Sequence, residues 1–297
     1  MQGAIGGASS RVFRSRAALP AMSRGQTPGP VPKGHARRCR REVLVLTGLF
    51  AHELRAQQRV YWRNREAAFF TFLLPIIFLV LLGSVYGDGT IDGVDASTFL
   101  VAGMVGYGVA ATAFAGLSIS MVVRREAGVL KRVRGTPLPP GLYLGAVIGS
   151  TMIVIGLQVL IQVLIGRYAL DAGWPQSPLS FAVLVVLGAV SFAALGLALT
   201  GLVRSAQGSS AVVNAIYLPM TFISGAFFST NDLPDFLKAI SDVLPLTYFL
   251  RLARSLFVEG DTLGSHGGWV VALALWGLVG LAAAVRFFAW EPREGVT

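Results

Sequence analysis

Charged side chains are scarce in this 297-residue chain, where Asp, Glu, Lys and Arg together make up 13%, about half the share of an average soluble domain. So few charges cannot cover the surface of a soluble enzyme of this length. With 54% hydrophobic residues, a disordered chain, a coiled coil and a disulfide scaffold are also excluded. The single cysteine, Cys39, rules out an internal disulfide and leaves the redox compartment open. No His-Glu-x-x-His occurs, so no zinc-type centre is expected. Lysine occurs only as Lys33, Lys131 and Lys238, and none precedes Ser or Thr. The phosphate-cradling loop G-x-x-x-x-G-K-[ST] is therefore missing, and the chain is read as a non-enzyme that binds no cofactor or metal of its own.

What the chain has instead is long apolar runs. A membrane span needs about 20 such residues. Six runs qualify, at about 67–86, 98–122, 142–165, 179–203, 209–228 and 269–288. Up to Val285 none contains Asp, Glu, Lys, Arg or His. The expected fold class is an all-α integral membrane protein with six transmembrane helices. The net charge of +10 suggests nucleic acid until its placement is followed. With six spans, twenty-one of the 25 Lys and Arg residues fall on one side and four on the other. The positive-inside rule puts that richer side, with both termini, in the cytoplasm. The first joint on the opposite side is acidic, with Asp88, Asp92 and Asp95. The partners expected are lipids rather than nucleic acid.

Residues 1–41 hold nine basic side chains, no acid and much Gly, Ser and Pro. They lack the apolar core of a secretory signal. A disordered basic tail is expected, with an over-extended start or an organellar transit peptide as alternatives. Residues 42–66 place Val43, Leu46, Phe50, Leu54 and Tyr61 at helical spacing, with Arg55, Arg59 and Arg63 on another face. This suits an amphipathic helix in the headgroup layer; a plain solvated helix is the alternative. Residues 291–297 form a short cytoplasmic tail.

Between the second and third runs, Glu126–Val133 has the composition of two helical turns. Val129, Leu130 and Val133 form an apolar edge flanked by basic residues, and Gly135 and Pro137 end the helix. That edge fits either a partner surface or the lipid. Within the spans, Gln158, Gln162 and Asn214 are the amides. They either line a substrate path or hydrogen-bond between helices. Phe222, Phe227 and Phe228 either line an apolar path or face lipid. Ala102-x-x-x-Gly106-x-x-x-Ala110 and Ala189-x-x-x-Ala193 are small-residue ridges for close helix contact. The stretch 229–268 is too long for a turn. Phe236, Leu237, Ile240, Val243 and Leu244 make one apolar face and Pro245 breaks it. Tyr248, Phe249, Leu252, Leu256 and Phe257 make a second, with Arg251 and Arg254 opposite. Two short external helices are expected, either re-entrant or lying on the surface.

Glu126-x-Gly128-Val129-Leu130-Lys131-Arg132, followed by Thr136-Pro137, resembles the permease subunits of ABC-2-type transporters. So does the run from Leu218 to Phe228, followed by Asn231-Asp-Leu-Pro234-Asp-Phe236, Val243-Leu-Pro245-Leu-Thr-Tyr248 and Arg251-Leu-Ala-Arg254. The second run is similar to the daunorubicin- and multidrug-resistance type of exporter. The resemblance covers about residues 43–290. It implies a bacterial-type inner-membrane permease that pairs with a second permease chain, as a homodimer or heterodimer. A separate ABC ATPase subunit would carry ATP and Mg. Glu126, Gly128, Val129, Leu130, Val133 and Pro137 would belong to the coupling helix, and 42–66 to the interface helix. The segment with Pro234, Phe236, Pro245, Tyr248, Arg251 and Arg254 would form re-entrant helices over the exit. The implied cargo is lipophilic or amphipathic, a drug, antibiotic or other secondary metabolite. A glycolipid or polysaccharide is the alternative, and a secondary carrier or channel without an ATPase is the alternative of another class. Carriers of that kind keep ionisable groups within the membrane, and these spans have none.

Overall fold

A computed structural model of the chain describes residues 34–86, 89–258 and 261–290, with side chains from Leu46 onward. The chain divides into two compact units, Met1–Val45 and Leu46–Thr297. The expected tails at 1–33 and 291–297, and Asp88, lie outside the described residues. In the first unit the described part is helical backbone from Gly34, which belongs to α1 (Gly34–Arg63). That helix starts earlier than the expected 42, because good helix formers follow Gly34 with no Pro.

In the second unit, Arg55, Arg59 and Arg63 of α1 are exposed, as their spacing predicts. Asn64 separates α1 from α2 (Arg65–Tyr86), its side chain accepting from Ala67 N at 3.2 Å. A hairpin follows, with β1 (Thr90–Ile91) antiparallel to β2 (Val94–Asp95). Its turn residues Asp92 and Gly93 have φ of 52° and 77°, the backbone that an Asp-Gly turn adopts readily. Sequence periodicity gave no sign of this hairpin, since two-residue strands are too short to alternate.

The centre of the unit is one continuous helical rod: α3 (Ala96–Ala110), a π-helical turn (Ala111–Gly116) and α4 (Leu117–Glu126). At 1.5 Å per residue its 31 residues run about 46 Å, longer than the roughly 30 Å hydrocarbon core of a bilayer. Its apolar stretch is 83% buried, against 17–22% for α2 and the last helix. Asp95 caps the rod: its carboxylate accepts from Thr98 N at 3.0 Å and Thr98 Oγ1 at 2.9 Å. Burial would raise the Asp95 pKa, but these bonds and one from Ser97 outweigh it, and the net shift is downward.

Around the rod stand α6 (Pro140–Ala169), α7 (Pro178–Thr200), α8 (Ala206–Ile223) and α11 (Gly267–Phe287). α5 (Val129–Arg134) hangs from one end. α9 (Asp235–Ser241) and α10 (Pro245–Val258) close the other. At Gly106 the small-residue ridge allows the close contact its spacing predicts, since a Cβ there would sit 2.5 Å from the Leu250 side chain. Off the ridge, a Cβ on Gly103 would sit 2.0 Å from Ala226 O. Among the described residues five helices are long and apolar enough to cross a membrane: α2, the rod, α6, α7 and α11. The fifth expected run is α8, an 18-residue helix. Gln207, Ser209, Ser210 and Asn214 make it the most polar of the set. It stops at Ile223 rather than at 228, because Ser224 and Gly225 (φ 81°) turn the chain.

Candidate coupling and transport site

The end that carries α5 has two adjacent residues with opposite tasks. Arg125 is 3% exposed. Its guanidinium donates to Thr200 O at 2.8 Å, the last carbonyl of α7, and to Val203 O at 2.5 Å in the joint that follows. Backbone carbonyls at a helix C-terminus carry partial negative charge, so a cation there is favoured. Glu126 accepts from Ala206 N, the first amide of α8, where negative charge is favoured. Ser205 caps the same helix through Gly208 N at 3.2 Å. Arg125 and Glu126 thus hold the end of one helix and the start of the next, and they fasten the α7–α8 joint to the rod.

The short helix differs from expectation in two ways. Glu126 ends α4 rather than starting α5, because Gly128 breaks the helix with φ of 69°. Leu130, expected on an exposed apolar edge, is 0% exposed and packs in the core of its own chain. A charge at Leu130 would therefore unfold this corner before it could disturb any partner. Val129 and Val133 are half-buried, and Pro137 is exposed beyond the helix. The surface that α5 presents is basic: Lys131, Arg132 and Arg134 are exposed.

The two glutamines of α6 act inside the chain. Gln158 accepts from Thr112 Oγ1 at 3.0 Å and donates to Thr71 O at 3.1 Å. Gln162 donates to Met104 O at 3.2 Å. Both are buried, Gln158 with both ends of its amide bonded and Gln162 with its Oε1 unpaired. Asn214 behaves otherwise. It lies exposed on α8 and has no side-chain partner among the described residues. α8 buries only Ser209, Val213, Tyr217, Met220 and Thr221, a single stripe, and leaves its other face uncovered.

Phe227 and Phe228 fall beyond the end of α8, where sequence reasoning placed them inside it. Phe227 is buried at 5.6 Å from both Phe78 and Tyr107. Phe222 stands 5.1 Å from Phe227 and 6.3 Å from Phe228, and is half exposed. Tyr107 and Tyr217, which the sequence did not single out, complete the cluster at 5.8 Å.

At the end opposite α5, Pro234 leads into α9 and Phe236 is exposed on it. Pro245 opens α10, the position where its missing N–H costs nothing. Tyr248 Oη donates to Asp242 O at 2.6 Å, and Arg251 pairs with the Asp242 carboxylate. α10 buries ten of its 14 residues. Arg254 donates to Gly225 O and lies 3.6 Å over the Phe99 ring. Burial pulls its pKa down to about 10.

The sequence matches the model of the ABC-2 type transporter over residues 49–258. The chain belongs to that family. A daunorubicin resistance ABC transporter permease protein, DrrB1 of Streptomyces coeruleorubidus, is 29% identical over 71% of this chain and 74% of its own. Nodulation protein J of Sinorhizobium fredii is 27% identical over 62% and 71%. The inner membrane transport permease YadH of Escherichia coli K12 is 25% identical over 70% and 80%. The ABC-2 match takes in α5, the clamped α7–α8 joint and α10, and it ends with α10 at Val258.

Proposed function

We propose that the chain is the permease subunit of an ATP-driven exporter in a bacterial-type inner membrane, with both termini and α5 in the cytoplasm. ATP and Mg act on a separate ABC ATPase. The cargo is a lipophilic or amphipathic compound of the drug or secondary-metabolite kind. The observation that carries this reading is the Arg125–Glu126 clamp. It ties the α4–α5 corner to the end of α7 and the start of α8. A push on α5 then moves two further helices together, as coupling to an external motor requires. The basic surface of α5 is the docking face for the ATPase. The uncovered face of α8, with Asn214, faces a second permease chain, where the amide finds its partner. The aromatic cluster and α10 stand over the exit.

The test is capture of the tagged chain from native membranes in mild detergent, followed by ATPase assay in liposomes. An ABC ATPase is retained by the native chain and lost from Arg132→Glu, which reverses charge on exposed α5 without touching the core. A chain that purifies with no ATPase and transports on an ion gradient alone contradicts the proposal.

A further inference from the structure

A cavity of about 510 Å³ lies between α1, α2, the π-helical turn with α4, and α6. That is within the range of small-molecule sites, roughly 300–1,000 Å³. Most of the wall is apolar, and Phe70 and Leu74 stand exposed on it. Three features make it more than a packing fault. The hydroxyl of Tyr61 is buried there beside that of Thr71, without a bond of ordinary hydrogen-bond length. Its neighbour Thr71 donates its own hydroxyl to Ala67 O at 2.7 Å. A buried unpaired hydroxyl costs about 1–3 kcal/mol, which a ligand with a suitable polar group relieves. Second, α3 is wholly buried, whereas the rod opens onto the cavity at the π-helical turn, through Ala111, Thr112 and Gly116, and onward along α4. Such turns recur at functional sites.

The third feature is charge. Among the described residues Arg124 is the only ionisable one in the wall apart from the Tyr hydroxyls, and no Asp or Glu lines it. Arg124 donates to Gln57 Oε1 at 2.6 Å and Tyr143 Oη at 3.1 Å. Gln57 is one helical turn from Tyr61, which places the cation and the Tyr61 hydroxyl at the same end. The carboxylate of Glu53 on α1 is not part of the wall; it lies behind Gln57, which donates to it at 2.6 Å. An ammonium entering here meets a like charge and no counter-ion, at low dielectric.

We propose that this cavity binds an uncharged or anionic amphipathic small molecule and rejects cations. The apolar body lies between α2 and the π-helical turn, and the polar group lies at Tyr61 and Arg124. The proposal deepens the export reading and rests on it for the direction of transport. Binding itself is measured without any ATPase, so failure of the two can be told apart.

The experiment is equilibrium titration of the full chain in zwitterionic nanodiscs with three fluorescent amphiphiles. These are Nile red (neutral), anilinonaphthalene sulfonate (anionic) and rhodamine 6G (cationic). The first two show a saturable component and the third does not. Ser120→Trp fills the cavity and removes that component. Tyr61→Phe leaves thermal unfolding unchanged and weakens binding by about 2–10-fold, one hydrogen bond's worth. Rhodamine 6G saturating as tightly as Nile red overturns the charge selection. Saturable binding that survives both substitutions, or a change of oligomeric state in Ser120→Trp with dye binding intact, gives the cavity to lipid or to a second copy and overturns the site.

Discussion

Two arginines fasten the two ends of the same region, and they are not equally satisfied. Arg125 reaches two carbonyls, one at the close of α7 and one in the joint leading to α8, and is 3% exposed. Arg254 reaches one carbonyl, Gly225 O, just past the close of α8. It rests on Phe99, and its Nε has no partner. The nearby acid, Asp92, is already engaged by Ser229 at 2.6 Å and Asn231 at 2.9 Å. So α8 is held firmly where it meets the α4–α5 corner and less firmly beneath α10. Under the proposed function, in which an ATPase drives the chain from α5, this asymmetry is what is needed: a stiff joint where force enters, and a looser one where the far end opens.

The largest test of that contrast is Arg125→Met. It orphans the Thr200 and Val203 carbonyls and should lower stability by about 2–4 kcal/mol, read as a fall in the thermal unfolding midpoint in detergent. Lysine there restores only part, because it lacks the two-pronged fork. Arg254→Met should cost less, about 1–2 kcal/mol. If Arg254→Met proves the costlier of the two, the asymmetry is inverted. The pH dependence sharpens the same point. Burial lowers the Arg254 pKa to about 10, below that of an unfolded arginine, so the folded state releases its proton first as pH rises. Stability from this group is therefore flat below about pH 9 and increases as pH passes 10. Unfolding midpoints between pH 6 and 9 that drift in Arg254→Lys but not in the native chain fit this account, since a buried lysine titrates lower.

Smaller effects follow at the corner itself. Gly128→Ala meets no neighbour within 4 Å, so its cost is the left-handed backbone alone, about 1–2 kcal/mol. Glu126→Gln removes the negative charge at the start of α8 and should cost about 0.3–1 kcal/mol, seen as a small shift of the same midpoint.

Much of this architecture is legible in the sequence, because lipid punishes exceptions. The apolar runs mark α2, the rod, α6, α7 and α11. Pro245 and its flanking faces mark α9 and α10. The arginine stripe of α1 comes from a 3.6-residue period. What the sequence hides is direction across the chain. Leu130 has the spacing of an exposed edge, yet it is buried, because the rod's own end supplies the surface that covers it. Arg125 and Glu126 look like two more charges of a positive-inside loop; only the fold brings Thr200, Val203 and Ala206 against them. Gln158 and Asn214 are both amides in apolar helices. One is bonded inside the bundle and the other faces outward, and no local pattern separates them. The π-helical turn has no composition of its own.

The central claim is that the Arg125–Glu126 clamp carries motion from α5 to α8. The most direct test is the amount of cargo exported per ATP hydrolysed, measured in liposomes with the captured ATPase, for the native chain and for Glu126→Ala. The account predicts that hydrolysis persists while export per ATP falls severalfold, because α8 has lost its link to the corner. An unchanged ratio, with the variant folded and the ATPase bound, would contradict it.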